Sequence, residues 1–120
     1  MQRPEGIREK MDLTQKKCVP CEGGTPPMRP EEAMRLQQQV KDWHLLTLNG
    51  IATIEKKFKF KDFAEAMKFV NKVAAIAEEE GHHPDIKISW NKVTLQLTTH
   101  AIKGLSENDF IMAAKIDTLA

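Results

Sequence analysis

Apolar residues in this chain recur at helical spacing in three stretches and alternate with polar ones in four, with turn signals between them. The first periodic stretch is RPEEAMRLQQQV. Pro30 suits the first helical position, Glu31 and Glu32 follow in the first turn, and Ala33, Leu36 and Val40 share one face. WHLLTLNGIATIEKKFKF then holds two β-prone runs around Asn49-Gly50, a dipeptide that tolerates the positive φ needed at both central residues of a type I′ hairpin. In the second run Ile54, Phe58 and Phe60 fall on one face and Glu55, Lys57 and Lys59 on the other. A long helix follows. Asp62 and Glu65 form a capping box, and Phe63, Ala66, Met67, Val70, Val73, Ala74 and Ala77 make its core stripe. Gly81 is placed to end this helix after Glu80, and Pro84 bars its return. Ile86, Ile88 and Trp90 then alternate with Lys87 and Ser89, and Asn91-Lys92 is expected to turn the chain. Val93, Leu95, Leu97 and Thr99 alternate with Thr94, Gln96, Thr98 and His100 on the returning strand. Ser106 with Asp109 is a second capping box, opening a last helix that carries Phe110, Ala113 and Ala114 inward.

The resulting order is helix, hairpin, helix, hairpin, helix. Four mainly antiparallel strands make one sheet, and three amphipathic helices must bury their stripes on it, which predicts an α+β two-layer sandwich with the helices on one face. The other face, offered by Thr94, Gln96 and Thr98, is left to solvent or to a partner subunit. Residues 1–28 are polar and broken by Pro4, Pro20, Gly23, Gly24, Pro26 and Pro27, and read as a flexible or extended arm. Residues 29–120 form the domain. Met11, in REKMDLTQ, is a candidate natural start.

Bulk properties narrow the function classes. The 120 residues suffice for one domain with a real core. A net charge of +1, from 18 basic and 17 acidic side chains, gives no electrostatic footprint for nucleic acid or an anionic membrane. No apolar run approaches a bilayer-spanning length, and MQRPEGIREKMDLTQKK lacks the apolar core of a signal peptide, so the cytoplasm is the simplest address. Cys18 and Cys21 form a lone CxxC followed by an EGGTPP stretch. A thiolate zinc site needs a second pair, and a redox pair needs a helix start to lower its thiol pKa, so two ordinary thiols in the arm are expected.

The chemistry concentrates in EEEGHHPDIKISW. Of the four histidines, His44 follows Trp43 on a strand without a companion and is expected to be structural or solvated. His82 and His83 occupy the loop before the second hairpin, and His100 ends its returning strand. Pairing across that hairpin brings positions 83 and 100 to the same end of the sheet. Adjacent histidines diverge in extended backbone and suit a metal poorly, although three imidazoles are the ligand set of one kind of zinc site. Acid/base work asks less of the geometry: with a pKa near 6.5, an imidazole both accepts and donates protons near neutrality. Two such groups flanking a small molecule can run an elimination, and Glu78, one helical turn before His82, could orient or charge-stabilise one of them. No nucleophile elbow and no phosphate-binding glycine loop is present.

Glu78, three residues, His82-His83-Pro84, five residues, Trp90, nine residues, His100, eight residues and Asp109 together resemble the signature of the pterin-4a-carbinolamine dehydratases. WNKVTLQLTTHAIKGLSENDF is similar to that family's second hairpin and last helix, and the likeness runs from about Pro30 to Ile116. The resemblance implies the same α+β sandwich and the dehydration of 4a-hydroxytetrahydropterin to quinonoid dihydropterin, with neither a metal nor an organic cofactor. It further implies a link to an aromatic amino-acid hydroxylase and a homodimer or homotetramer. On this chain it implies His82, His83, His100 and Glu78 as catalytic residues. His82, His83, Pro84, Thr99, His100, Ala101 and Ile102 would contact the pterin. Proton transfers would fall to His82 and His100, with His83 binding and orienting. Capping explains Asp109 without a catalytic duty, and alternation makes Trp90 a core residue first and a ring contact second. Where many relatives carry an aromatic residue two positions after the proline, this chain has Ile86. A binding role is the alternative: animal members also act as dimerisation partners of a homeodomain transcription factor, and pterin handling in molybdenum-cofactor metabolism is a further variant.

Overall fold

Pro30, with Glu31 and Glu32 behind it, opens helix α1 (Pro30–Gln37) in the computed structural model, which describes residues 13–19 and 26–120. Met11, Cys21 and the arm's Pro4, Pro20, Gly23 and Gly24 lie outside the described residues. Strands β1 (His44–Leu48) and β2 (Ile51–Lys59) form the first hairpin, helix α2 spans Phe63–Glu80, β3 (Asp85–Ser89) and β4 (Lys92–Leu97) form the second, and α3 is Glu107–Asp117. The order is α-β-β-α-β-β-α. The sheet is antiparallel throughout, in the order β1-β2-β4-β3. Among the described residues no helix is long and apolar enough to cross a membrane.

Local chemistry accounts for most boundaries. Asn49 and Gly50 take φ of 52° and 79°, the two left-handed residues of the first hairpin. Asp62 caps α2 by accepting the Glu65 N–H at 2.9 Å. Gly81, at φ 68°, ends that helix, and the His82 N–H returns to the Ala77 carbonyl.

Ile54, Phe58, Val93, Leu95 and Leu97 line the inner sheet face and join Ala66, Phe69, Val70, Val73 and Ala77 of α2 in one buried cluster. The helix is rotated slightly from the expected stripe. Phe63 and Ala74 are exposed, while Phe69 turns inward, its ring 4.6 Å from that of Phe58 and 5.0 Å from that of Phe60. Aromatic packing across the sheet therefore sets the facing side. Helix α3 is apolar nearly all round: Ile111 and Met112 are buried along with Phe110, Ala113 and Ala114. Its second side is covered by the arm, whose 3-10 turn Leu13–Gln15 packs on α3 with Leu13 in the core.

The second hairpin departs from expectation at its tip. Ser89 pairs with Lys92, so the turn residues are Trp90 and Asn91, not Asn91 and Lys92. The buried Asn91 is tied to the end of β2, its Nδ2 donating to the Phe60 carbonyl and its own carbonyl accepting the Phe60 N–H. With Asn91 so held, Trp90 takes the left-handed conformation at φ 54° and is 67 % exposed, a turn residue rather than a core one. The pairing shifts by two residues, an even number, so Ile86 and Ile88 still share the face of Leu95 and Val93. They remain partly exposed because β3 is an edge strand. On the outer face Gln96 donates to Glu55 at 2.7 Å, a hydrogen-bonded polar surface of the kind its residues suggest.

Glu80, in the last turn of α2, is nearly fully buried and accepts from Lys115 at 2.8 Å and from the Cys18 N–H at 2.8 Å. The Lys115 hydrogen bond and the Cys18 amide hold its carboxyl below its ordinary value of 4.5. A depressed folded-state pKa contributes stability that is complete above the unfolded value and is lost as pH falls through the folded one. Glu80→Gln is therefore expected to lower stability by about 2 kcal/mol at pH 7. In urea melts that deficit should shrink below about pH 4; a pH-independent deficit would contradict the assignment.

Candidate active site

The left-handed Gly81 swings the chain off α2 so that His82 meets the start of α3. On the other side Thr98 and Thr99 follow the end of β4. The Thr99–Gly104 bridge closes the 3-10 turn His100–Ile102, with Lys103 left-handed at φ 55°. Between them lies a cleft of about 380 Å³ lined by Val19, Gly81, His82, His83, Thr98, Thr99, His100, Ala101 and Asn108. That volume is at the small end of the range for small-molecule sites.

Asp109 organises the cleft. Its carboxylate is fully buried, and both oxygens are occupied. Oδ2 accepts the Ser106 N–H at 3.0 Å and the Thr99 hydroxyl at 2.8 Å, and Oδ1 lies 2.6 Å from His82 Nε2. Ser106 and Asp109 thus form the predicted reciprocal cap of α3. The same carboxylate also holds His82, whose side chain is only 12 % exposed. An ionised carboxylate only accepts, so this contact calls for the tautomer with the proton on His82 Nε2 and none on Nδ1. Capping alone is too narrow a reading of Asp109; the cap fixes it as an anchor for the imidazole.

The other predicted residues divide. His83 sits at the rim with Nε2 2.5 Å from Glu78 Oε2, both side chains being exposed. Glu78 thus meets His83 rather than His82 and does not line the cleft. His100, exposed on its 3-10 turn, lines it and has no side-chain hydrogen bond among the described residues. Thr99 and Ala101 line it as well. Pro84 and Ile102 do not: Pro84 leads into β3, and Ile102 is an apolar side chain buried within its turn. Ile86 lies outside the lining too. Among the described residues no three or more His, Cys, Asp or Glu side chains gather into a metal-holding group.

Val19, Gly81, Thr98 and Asn108 are the lining residues that sequence reasoning did not assign to the site. Asn108 was signalled only by its place beside Asp109, and Val19 comes from the arm, where no pattern marks it. Its neighbour Cys18 is half-buried; burial and the Glu80 carboxylate push its thiol up to about 12. That is the reverse of an activated cysteine. Iodoacetamide at pH 8 should alkylate Cys18 roughly 100-fold or more slower than an ordinary thiol. Peptide mass mapping distinguishes it from Cys21, and an ordinary rate would show that Cys18 is not seated.

Comparison with known proteins agrees with this architecture. The family model "Pterin 4 alpha carbinolamine dehydratase" matches residues 26–119. A Nitrosospira multiformis protein, provisionally named pterin-4-alpha-carbinolamine dehydratase, is 53% identical over 108 residues, covering 90% of this chain and 92% of its own. The crystal structure of a transcriptional coactivator/pterin dehydratase from Brucella melitensis superposes with a TM-score of 0.72 at 32% identity, covering 78% of this chain and 98% of that one. A pterin dehydratase-like protein, described as a RuBisCO assembly factor in the alpha-carboxysome, gives 0.56 at 28% identity, covering 66% and 89%. By its sequence and its fold, the chain belongs to the pterin-4a-carbinolamine dehydratase family.

Proposed function

We propose that the cleft dehydrates 4a-hydroxytetrahydropterin to quinonoid dihydropterin and water, recycling the pterin spent by an aromatic amino-acid hydroxylase. The observation that carries this reading is the buried Asp109 carboxylate on His82, with His100 lining the same small cleft. In the reaction the N5–H proton departs, its electron pair forms the C4a=N5 bond, and the C4a–O bond breaks. The leaving hydroxyl takes up a proton and departs as water. His82 is assigned the base: Nδ1 takes the N5 proton, and Asp109 stabilises the imidazolium that forms, as a carboxylate does behind a catalytic histidine. His100 is assigned the acid at the hydroxyl. His83, steadied by Glu78, orients the ring, and Thr99 and Ala101 supply contact surface. Expulsion of hydroxide alone is slow because the leaving group is poor; the proton from His100 removes that obstacle. The test is acceleration of dehydration when the purified protein is added to 4a-hydroxytetrahydropterin made in situ by a hydroxylase.

A second reading is an interaction role, favoured by the coactivator and assembly-factor descriptions of the two structural neighbours. The open edge of β3, with Ile86, Ile88 and Trp90 exposed, supports it and equally supports a homodimer or homotetramer. His82→Ala with His100→Ala separates the two readings, since binding to a protein through the β3 edge survives the change and dehydration does not.

A further inference from the structure

The arm that covers α3 reaches the cleft, and it is pinned there by residues adjacent in sequence to the catalytic pair. Leu13 is buried in the core, and Lys16 Nζ lies 2.6 Å from Glu107 Oε2. The Cys18 N–H donates to Glu80 Oε1, two residues before His82. Cys18 Sγ donates to the Asn108 carbonyl at 3.6 Å. Asn108, one residue before Asp109 and itself buried, clamps Val19 from both sides of its side-chain amide. The Val19 N–H donates to Oδ1 at 3.0 Å, and Nδ2 donates to the Val19 carbonyl at 2.5 Å. A backbone held this way has a fixed position, yet the residue it presents at the cleft is apolar and 63 % exposed. An exposed valine held by a buried amide is poorly explained by stability alone, because burying it is what would yield a hydrophobic gain. A ligand entering the cleft would bury it.

We propose that residues 13–19 form a strap that completes the site, with Val19 a specificity-determining wall against the bound ring and Asn108 the positioning residue that holds it there. The inference rests on the pterin reading of the same cleft. Apart from Gly81 and the small Ala101, the remaining walls bear imidazoles, threonines and the Asn108 amide, so the strap supplies the largest apolar side chain for contact with a flat heterocycle. Polar groups orient such a ligand and apolar ones retain it. The strap also ties the segments carrying His82 and Asp109 to one another through Glu80 and Asn108.

The experiment titrates 7,8-dihydropterin into wild type, Val19→Ala, Asn108→Ala and the double variant, with KM and kcat measured alongside. Each single change should raise Kd and KM about 5–10-fold, as expected for losing a methyl-sized contact, with kcat altered less than about twofold. The double variant should be no worse than the weaker single by more than about twofold, because both act on one contact. Trypsin should cut after Lys16 or Lys17 at least about 10-fold faster in Asn108→Ala, since release of the clamp exposes the segment. Wild-type affinity in Val19→Ala, or fully multiplicative losses in the double, would overturn the wall; an unchanged cleavage rate would overturn the clamp. Val19→Ala changes an exposed side chain, so its result stands even if Asn108→Ala fails to fold. Pterin bound by wild type without turnover would defeat the dehydratase reading and leave the strap; no binding by wild type would defeat both.

Discussion

Asp109→Asn is expected to lower kcat by about 100-fold or more while changing KM by less than about threefold. The carboxylate does two jobs with separate oxygens. Oδ2 completes the cap of α3 and receives Thr99, and Oδ1 faces His82. An asparagine can keep its oxygen on the Ser106 N–H and Thr99 hydroxyl, but it then presents an NH₂ to His82 Nε2. Two donors cannot share that position, so the ring must adopt the opposite tautomer or turn away, and Nδ1 no longer accepts a proton. The charge that stabilises the imidazolium is also gone. Asp109→Ala should add a loss of roughly 3 kcal/mol in stability, from the missing cap and the lost hydrogen bonds to the buried Thr99 hydroxyl and to His82. Ser106→Ala is the control: it weakens the cap by about 1 kcal/mol but leaves the Asp109–His82 contact, so kcat should fall less than about fivefold. Stopped-flow turnover with urea melts on all three variants separates the two jobs. If Asp109→Asn keeps wild-type kcat, the pair has no part in the proton transfers.

Trp43→Ala should cost about 4 kcal/mol, enough to lower Tm by roughly 10–20 °C. Trp43 is fully buried where α1 hands the chain to β1, its ring edge-on to Phe58 at 6.2 Å. Nε1 donates to Asp117 Oδ1 at 3.0 Å, and Lys56 Nζ reaches the same oxygen at 2.9 Å. One side chain therefore joins the entry to the sheet, the centre of β2 and the end of α3. Alanine leaves a large void bordered by Phe58 and an ion pair. Trp43→Phe keeps most of the volume and should lose only about 1–2 kcal/mol, chiefly the indole hydrogen bond. Equal melting temperatures for Trp43→Ala and Trp43→Phe, measured calorimetrically, would show that the cavity is not what matters.

The sequence carried the fold well where a single local rule applied. Asn49-Gly50, the Asp62 cap, the Gly81 stop and the Ser106–Asp109 box each depend on a few adjacent residues, and each formed. It failed where distant residues decide. The tip of the second hairpin moved because Asn91 bonds to Phe60, thirty-one residues earlier, and nothing within SWNKV announces that bond. The rotation of α2 depends on the rings of Phe58 and Phe60 across the sheet. The convergence of His83 and His100 could be read from hairpin pairing. The hold of Asp109 on His82 could not, because it requires knowing how α3 returns past the end of α2. Val19 was the least legible of all: it reaches the cleft only through an arm whose composition looks like a tether.

Those distant contacts give the family assignment its local content. The fold brings Thr99, Asp109 and His82 into one hydrogen-bonded chain, with His83 and His100 at the same opening. This cluster is the proposed seat of the dehydration. The most direct measurement is the rate of 4a-hydroxytetrahydropterin dehydration, generated in situ by a hydroxylase, with wild type and with the His82→Ala, His100→Ala double variant. Acceleration by wild type and the uncatalysed rate with the folded double variant is the predicted result. Equal acceleration by both proteins, or none by wild type, would contradict it.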